Sequence, residues 1–466
     1  MPYEGELASK TSHSEFLRNP DIKHFLGQCE YLKIPSDEVG QKLAERFVEP
    51  PTPRDELPSF VVAVDGSNYE SSLDDKLPNT KVGYIKIGSL LIPLDQYNSL
   101  RQGRYVDPFK VAEIQDNNSS LTFSLPSANI KWGGKQSVTE SFRAVMDQQF
   151  YGVHTRFDDN DPMTSLRSTL FYLASMRSGK LGTGDSHKLK IHKCPSCGNG
   201  EEEGILLEDI PDQQCCPYCG TEIYPTDCLR IWEEVNEFQS NQVAMTRLML
   251  ALEHLIPLHY MRYFYKNAPL LLSSMAFFID GPLAVFGSPH WLQDAALHFF
   301  HEVNRRLSSK GQDPLTVIGL QKTGQVVDHV NLVDRYIPNN RIMALDDDYR
   351  YQYILAGRDP SPHGFGVGTY YGQDFIYKTP SGRTFVFGLP YPFGPDNSPG
   401  KKFSQEKIKL EHYPQLPQAL RLITYLESDL YQNAIVPIAL AHRFTAISFR
   451  PGGRVLDLLT RNALDV

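Results

Sequence analysis

Two short segments, far apart in the chain, each end an apolar run with an aspartate and a glycine. Asp65 follows the run 60–64, and Asp280 follows the run 275–279. Runs of this composition are typical of buried β-strands, so each segment predicts a carboxylate at the end of a strand. A buried carboxylate is unstable without a compensating positive charge, and a pair of them suggests a shared cation. For either segment alone, an ordinary Asp-Gly turn explains the residues equally well.

Three further side chains are candidates to join the two aspartates. Glu253 lies among apolar residues of a helix predicted over 235–255, Lys322 follows the predicted strand 315–320, and His442 interrupts an apolar stretch. Taken alone, Glu253 is better explained as a solvated helix carboxylate and His442 as a core histidine. Together, three carboxylates suit Mg²⁺ or Mn²⁺, and an added histidine ligand shifts the preference towards Mn²⁺. The set therefore predicts a metal-dependent hydrolase.

The order of these motifs resembles that of the NurA nucleases over about residues 58–450, apart from a cysteine-rich segment. The matching segments are Val64-Asp65-Gly66-Ser67, the helix from Arg247 to Glu253, Ile279-Asp280-Gly281-Pro282-Leu283, Gly319-Leu320-Gln321-Lys322-Thr323 and Ala441-His442-Arg443. The resemblance implies that Asp65, Glu253 and Asp280 bind a catalytic Mn²⁺ or Mg²⁺ ion. It also implies that His442 is a further active-site residue, either as a metal ligand or in proton transfer.

The same resemblance implies an RNase H-like core and a Mn²⁺-dependent deoxyribonuclease, similar to 5′-to-3′ exonucleases and single-strand endonucleases. It further implies a homodimer that works with a HerA-like hexameric, ATP-driven DNA translocase, in end resection or anti-phage defence. One or two metal ions would bridge the scissile phosphate and activate water, while Lys322 would neutralise the phosphate. The chain has no Gly-x-x-x-x-Gly-Lys-Ser/Thr loop, so an ATP-driven step must come from a partner.

Four of the seven cysteines form a repeated Cys-x-x-Cys pattern: Cys194, Cys197, Cys216 and Cys219. Two such pairs bring four thiolates to one point, which predicts a structural Zn²⁺ ion in a zinc ribbon with no open coordination position. Cys29, Cys215 and Cys228 are predicted to be plain buried or loop cysteines that do not bind metal. Cys215 directly precedes the predicted ligand Cys216, so the two could be confused. Basic residues precede the ribbon at 188–193 and glutamates follow at 201–203, so phosphate contact and partner-protein contact are equally good interpretations.

The composition is that of a soluble globular protein. The chain has 466 residues, of which 41% are hydrophobic, and no apolar run reaches transmembrane length. The acidic N-terminal sequence lacks signal-peptide features, and the cysteine usage favours a reducing compartment, so a cytoplasmic location is expected. A net charge of −9 argues against nucleic-acid binding through overall basicity, but it allows a local basic channel.

Changes in composition along the chain predict its organisation. Helical spacing followed by a Pro-rich connector predicts an N-terminal helical arm over residues 1–58. Residues 59–180 and 229–466 combine predicted strands and helices, and they form the two parts of a mixed α/β core with helices flanking the sheet. Residues 181–228, rich in Gly, Cys, Lys, His and Glu, form the inserted zinc ribbon.

Two other functions stay open. An RNA-cleaving hydrolase with RNase H-like chemistry would differ only in its substrate contacts. A non-catalytic DNA-binding or adaptor subunit would depend on the ribbon, although the chain retains all three candidate carboxylates. The sequence favours the deoxyribonuclease over both.

Overall fold

Eight strands form one mixed sheet at the centre of the computed structural model. The structure describes residues 14–29, 35–74, 76–102, 105–106, 118–178, 182–200, 203–355, 358–360, 364–394, 400–428, 434–447 and 452–463. The strands of the sheet are β1 (Phe60–Asp74), β2 (Leu77–Pro93), β5 (Asn118–Pro126), β10 (Met275–Asp280), β11 (Thr316–Gln321), β12 (Arg341–Ala344), β13 (Gly372–Lys378) and β14 (Thr384–Pro390). Their order across the sheet is β12-β13-β14-β11-β10-β1-β2-β5.

Three strand pairs lie outside this sheet, and helices lie between the strands along the chain. The pairs are β3 (Arg101–Gln102) with β4 (Tyr105–Val106), β6 (Lys188–Ile191) with β7 (Ile205–Glu208), and β8 (Gln214–Cys215) with β9 (Glu222–Ile223). The described α-helices are α1 (Ser14–Arg18), α2 (Pro20–Gln28), α3 (Asp37–Ala44), α4 (Leu94–Leu100), α5 (Val138–Tyr151), α6 (Leu166–Ser175), α7 (Gln242–Asn267), α8 (Trp291–Ser308), α9 (Gln325–Val333), α10 (Asp347–Tyr349), α11 (Phe403–Glu406), α12 (Leu416–Leu426), α13 (Val436–Thr445) and α14 (Gly452–Ala463).

The central strands are buried on both faces, which explains why their sequences are unbroken apolar runs. Val62 and Val64 of β1 belong to the hydrophobic core that α5, α6, α7 and α8 cover. Val61 and Ala63, which point to the other face, belong to the core that α12 and α13 cover. The predicted mixed α/β fold, with helices flanking the sheet, is confirmed.

The register of the parallel centre of the sheet places the two aspartates side by side. β1 runs parallel to β10 with Val64 opposite Ile279, and β10 runs parallel to β11 with Asp280 opposite Leu320. Asp65 is therefore level with Asp280 on the neighbouring strand. Because adjacent strands lie about 5 Å apart, both carboxylates are within reach of one cation.

β1 does not end at Asp65, so the prediction of a strand-terminal carboxylate is wrong at that position. The strand continues to Asp74 because β2 pairs antiparallel with it along almost its whole length. The element that ends next to Asp65 is β10, whose last residue is Asp280, as predicted. Asp65 is thus held by a continuous strand pair on one side and lies beside a strand terminus on the other.

The described part of the N-terminal region is helical, and its beginning stands away from the core. No residue of α1 or α2 is buried. By contrast, Leu43 of α3 and Phe47 are buried in a third hydrophobic cluster with residues of α9 and β12. Among the described helices, none is long and apolar enough to cross a membrane.

Candidate active site

The carboxylates of Asp65 and Asp280 share one counter-ion, the ammonium group of Lys322. Lys322 Nζ lies 2.6 Å from Asp280 Oδ2 and 3.4 Å from Asp65 Oδ1. Lys322 directly follows β11, so three neighbouring parallel strands supply the three charges. Asp65 is only 1% exposed, and a carboxylate buried to this degree needs such partners.

Glu253 reaches the two aspartates from α7, which packs across β1. The helix begins later than predicted, at Gln242, and continues to Asn267. Gly66 N–H donates a 2.8 Å hydrogen bond to Glu253 Oε1. A Cβ atom at Gly66 would lie only 2.9 Å from the same oxygen, so glycine is needed for this close approach. Glu253 is buried, which excludes its interpretation as a solvated helix carboxylate.

A second helix, α13, brings His442 and Thr445 to Asp65. His442 Nδ1 lies 3.3 Å from Asp65 Oδ1, and Thr445 Oγ1 donates a 2.5 Å hydrogen bond to Asp65 Oδ2. The His442 side chain is 51% exposed, so it is a residue of the rim and not a core histidine. Thr445 was not predicted, although its spacing of three residues from His442 on a helix is a signal that points to it.

Burial and mutual repulsion change the acidity of the clustered groups. Burial, together with the charges of Asp280 and Asp65, raises the pKa of Glu253 well above its usual value. Burial also raises the pKa of Asp280 to about 6, against the opposing effect of Lys322. Burial lowers the pKa of Lys322, but the attraction of Asp280 and Asp65 outweighs it, so the net shift is upward. The cluster therefore contains more negative charge than its single lysine neutralises.

This donor set fits a hard divalent cation such as Mg²⁺ or Mn²⁺. Such ions prefer carboxylate oxygens, and a cation would relieve the burial penalty and the repulsion by Asp280 and Asp65 that raise the pKa of Glu253. Lys322 supplies part of the positive charge in this structure. The carboxylates are nevertheless spread more widely than the ribbon thiols. Within the described ranges, the four ribbon cysteines are the only group of three or more His, Cys, Asp or Glu residues whose ligand atoms all lie within 4.8 Å of one another.

The four predicted zinc ligands converge on a second site, formed by two turns of matching geometry. Gly198 N–H donates to Cys194 O at 3.0 Å, and Gly220 N–H donates to Cys216 O at 2.9 Å. Both glycines have φ of +73°, a conformation that other residues rarely adopt. The four Sγ atoms lie within 4.8 Å of one another and can hold a tetrahedral metal ion, whereas the exposed Cys215 is not part of the cluster.

The ribbon segment is packed into the main core. Its strands contribute buried apolar residues to the same hydrophobic cluster as α5, α6 and α7, namely Leu189, Ile191, Ile205, Leu207 and Ile223. Arg143 of α5 donates two hydrogen bonds to Asp227, from Nε at 2.7 Å and from Nη2 at 2.6 Å, and both side chains are buried. The fold around the cysteines is therefore coupled to the layer of helices that includes α7.

Comparison with known proteins identifies the family of this chain. The NurA domain family matches residues 60–447. Two solved structures resemble the chain: the NurA nuclease from Sulfolobus solfataricus (8% identity, TM-score 0.33, 98% of this chain and 96% of that chain) and another NurA structure (12% identity, TM-score 0.28, 97% and 98%). No curated protein matches significantly. Because the family match spans most of the chain and includes every residue of the carboxylate cluster, the chain belongs to the NurA domain family of nucleases.

Proposed function

We propose that this chain is a divalent-metal-dependent deoxyribonuclease whose active site consists of Asp65, Glu253, Asp280, Lys322 and His442. The observation that carries the proposal is the convergence of three carboxylates from β1, α7 and β10 within the span of the NurA domain. A buried glutamate beside two aspartates destabilises the metal-free fold. A purely structural or adaptor role does not explain such a cluster, whereas metal binding does.

The three carboxylates would hold the catalytic cation, which we propose to be Mn²⁺ or Mg²⁺. When bound, this ion supplies Lewis-acid chemistry that activates water and stabilises charge on the leaving oxygen. The side chain of His442 favours Mn²⁺ if it is a ligand. Asp65 is fixed by Thr445, and Glu253 is fixed by the Gly66 amide, so both carboxylates are oriented before a cation binds.

The remaining side chains act on the substrate. Lys322 pairs with the aspartates in this structure, and its ammonium is a positive charge within the cluster that can neutralise a phosphodiester. His442 is exposed at the rim, where it can transfer a proton to the leaving oxygen or accept one from water. DNA is favoured over RNA as the substrate because the family match supports a NurA nuclease.

We further propose that the cysteine cluster holds a structural Zn²⁺ ion, since four thiolates leave no position open for chemistry. We also propose that the chain works as a homodimer on a HerA-like hexameric translocase, in DNA end processing or anti-phage defence. The net charge of −9 supports this, because a nuclease with little attraction of its own for DNA gains from a motor that delivers it.

A cleavage assay tests the proposal. Labelled single-stranded DNA, duplex DNA and RNA are incubated with the protein in Mn²⁺, in Mg²⁺ or without either ion. Asp65→Asn and Asp280→Asn should lower DNA cleavage by more than about 100-fold, because loss of outer-shell partners alone costs about 10–100-fold. His442→Ala should also cause a large loss, and Lys322→Ala a smaller one, since lysine acts only as a point charge.

Asp55→Asn is the matched control, since Asp55 is an exposed carboxylate outside the cluster. It should cleave like the unchanged protein. Circular dichroism and zinc content show whether each variant is folded. Cleavage that persists at the normal rate in folded Asp65→Asn and Asp280→Asn would refute the assignment, and exclusive cleavage of RNA would favour the RNase H-like alternative.

A further inference from the structure

A cavity of about 220 Å³ is lined by residues close in sequence to two members of the carboxylate cluster and has no part in the chemistry described so far. Its lining includes Pro282, two residues after Asp280, and Gln321, the residue before Lys322. It therefore lies at the same edge of the sheet as the cluster, at the ends of β10 and β11. The volume is smaller than the roughly 300–1,000 Å³ of sites for drug-sized ligands, so it suits one small group and not a length of strand.

The cavity contains a polar group that lacks a partner. Gln321 is only 6% exposed, and its Nε2 atom makes no hydrogen bond with any of the described residues. A buried amide donor without a partner is costly, so a ligand that accepts a hydrogen bond from it would be stabilising. The amide of glutamine presents a donor and an acceptor side by side, which is the pattern that matches the edge of a nucleobase.

The mouth of the cavity offers a place for a phosphate. Gly324 has φ of +111° and directly precedes α9, and no side chain caps the first turn of this helix. Backbone N–H groups at the start of a helix bind phosphate oxygens, although Asp328 in the same turn offsets part of the helix dipole. Lys322 lies one residue before Thr323 and adds a positive charge on the side of the carboxylate cluster.

Aromatic rings form the opposite wall. Tyr370 and Phe365 both line the cavity, and their ring centroids lie 5.1 Å apart. Phe286 is outside the lining and packs against Tyr370 with a centroid distance of 5.8 Å. Arg350 also lines the cavity, but its guanidinium pairs with the buried Asp374 at 2.5 Å, so its charge is largely neutralised. A wall of rings with little net charge favours the face of a base over an inorganic anion.

We propose that this cavity binds the unpaired nucleotide next to the scissile phosphodiester, with its base against Gln321 and Tyr370 and its phosphate at the start of α9. This inference rests on the proposed nuclease function and specifies its substrate. A base can enter the cavity only when it is unstacked and unpaired, so single-stranded DNA or a frayed end is the substrate that the site selects.

The test measures binding of deoxyadenosine 5′-monophosphate to the full-length Asp65→Asn protein by titration calorimetry, with deoxyribose 5-phosphate as the probe without a base. Gln321→Leu and Tyr370→Ala, each combined with Asp65→Asn, should weaken binding of the nucleotide by about ten-fold, the effect expected for losing one base contact. Phe238→Ala is the matched control, since Phe238 is a strongly exposed ring outside the cavity. Deoxyribose 5-phosphate should bind much more weakly than the nucleotide.

A cleavage assay separates failure of this inference from failure of the proposed function. Single-stranded DNA with one abasic site next to the cleaved bond should be cut more slowly there by the unchanged protein, and Gln321→Leu should remove that difference. Normal cleavage with no abasic effect, and equal nucleotide binding by all variants, overturns the cavity assignment and leaves the nuclease assignment intact. Nucleotide binding that depends on Gln321 in a protein without any nuclease activity supports the cavity and overturns the proposed function.

Discussion

Glu253 is the residue whose environment departs furthest from that of an ordinary glutamate. It is buried in a helix–sheet interface, accepts one hydrogen bond from a backbone amide and faces two aspartates. Burial and the charges of the two aspartates make ionisation of Glu253 less favourable, and one lysine does not offset these effects. Binding of a divalent cation should therefore release protons and should weaken as the pH falls through about 6, where Asp280 becomes protonated.

Replacing Glu253 with glutamine should stabilise the metal-free protein at high pH. The folded-state pKa of Glu253 lies above its ordinary value of 4.5, so the folded protein binds more protons than the unfolded chain. Stability is then greatest below the ordinary pKa and falls as the pH rises. Glutamine retains the Oε1 acceptor for Gly66 and never ionises. Thermal unfolding without Mn²⁺ or Mg²⁺, but with zinc retained, should show a melting temperature that declines less towards about pH 8 in Glu253→Gln.

Asp280→Asn is a less clean comparison, because it also removes the nearer of the two carboxylates that pair with Lys322. The two melting profiles, of Glu253→Gln and of the unchanged protein, should converge near pH 4.5, the ordinary pKa of a glutamate. Parallel profiles across the whole range would mean that Glu253 ionises in the fold as it does in water.

At the residue scale, sequence reasoning identified the groups that meet but not all the contacts that orient them. Asp65, Glu253, Asp280, Lys322 and His442 lie together, while their roles in catalysis stay predictions. Thr445 and the amide of Gly66 were not predicted. Both depend on how closely α13 and α7 approach β1, which is a consequence of packing over long sequence separations. Such docking leaves no periodic signal in one sequence.

At the scale of helices, strands and turns, local features can also be predicted from the sequence, whereas packing between distant segments cannot. The clustering of the four cysteines can be predicted because each Cys-x-x-Cys turn is formed by residues adjacent in sequence, with a glycine at positive φ. The packing of the ribbon against α5 is not predictable in this way, because Arg143 and Asp227 are 84 residues apart. The extension of β1 past Asp65 was missed because Asp-Gly-Ser has turn composition, and pairing with β2 overrides that preference.

Removal of one ribbon thiolate should release zinc and destabilise the core as well as the ribbon. Cys219 is an exposed member of the cluster, so Cys219→Ser tests metal binding with little direct loss of packing. Zinc content should fall from about one ion per chain to a small fraction, because structural zinc contributes directly to the free energy of folding. The melting temperature should fall with it, since the ribbon strands contribute Leu189, Ile191 and Leu207 to the main core.

Cys215→Ser is the control for this change, since Cys215 is exposed, close in sequence and outside the cluster. It should keep both its zinc and its stability. Equal zinc content in the two variants, measured by atomic emission on purified protein, would contradict the assignment of the four ligands.

At the scale of the whole molecule, the acidic chain needs a surface for the proposed motor. The helices α1 and α2 are the clearest candidate, since neither has a buried residue. Four of their apolar side chains are more than half exposed, namely Phe16, Leu17, Phe25 and Leu26. An apolar surface of this kind is costly in water and is typical of a protein–protein contact.

The double change Phe25→Asp and Leu26→Asp should abolish co-purification with a HerA-like ATPase and leave DNA cleavage by the isolated protein unchanged. Two added charges cannot be desolvated in an apolar interface without a large loss of affinity. Leu206→Asp, on an exposed position of the ribbon strand β7, is the comparison. Loss of the complex in Leu206→Asp alone would indicate that the ribbon, and not α1 and α2, forms the interface. A complex that survives in the double variant and in Leu206→Asp would exclude both of these surfaces.

The contact between α13 and Asp65 spans 380 residues of sequence and has a consequence for the protein during its synthesis. Chains fold as they leave the ribosome, and the earlier parts fold first. Until Thr445 and His442 have emerged, Asp65 lacks two of the partners that fix it, and His442 is absent from the rim. Under the proposed function, a partly translated chain lacks part of its active site, and we expect it not to cleave nucleic acids until α13 has folded.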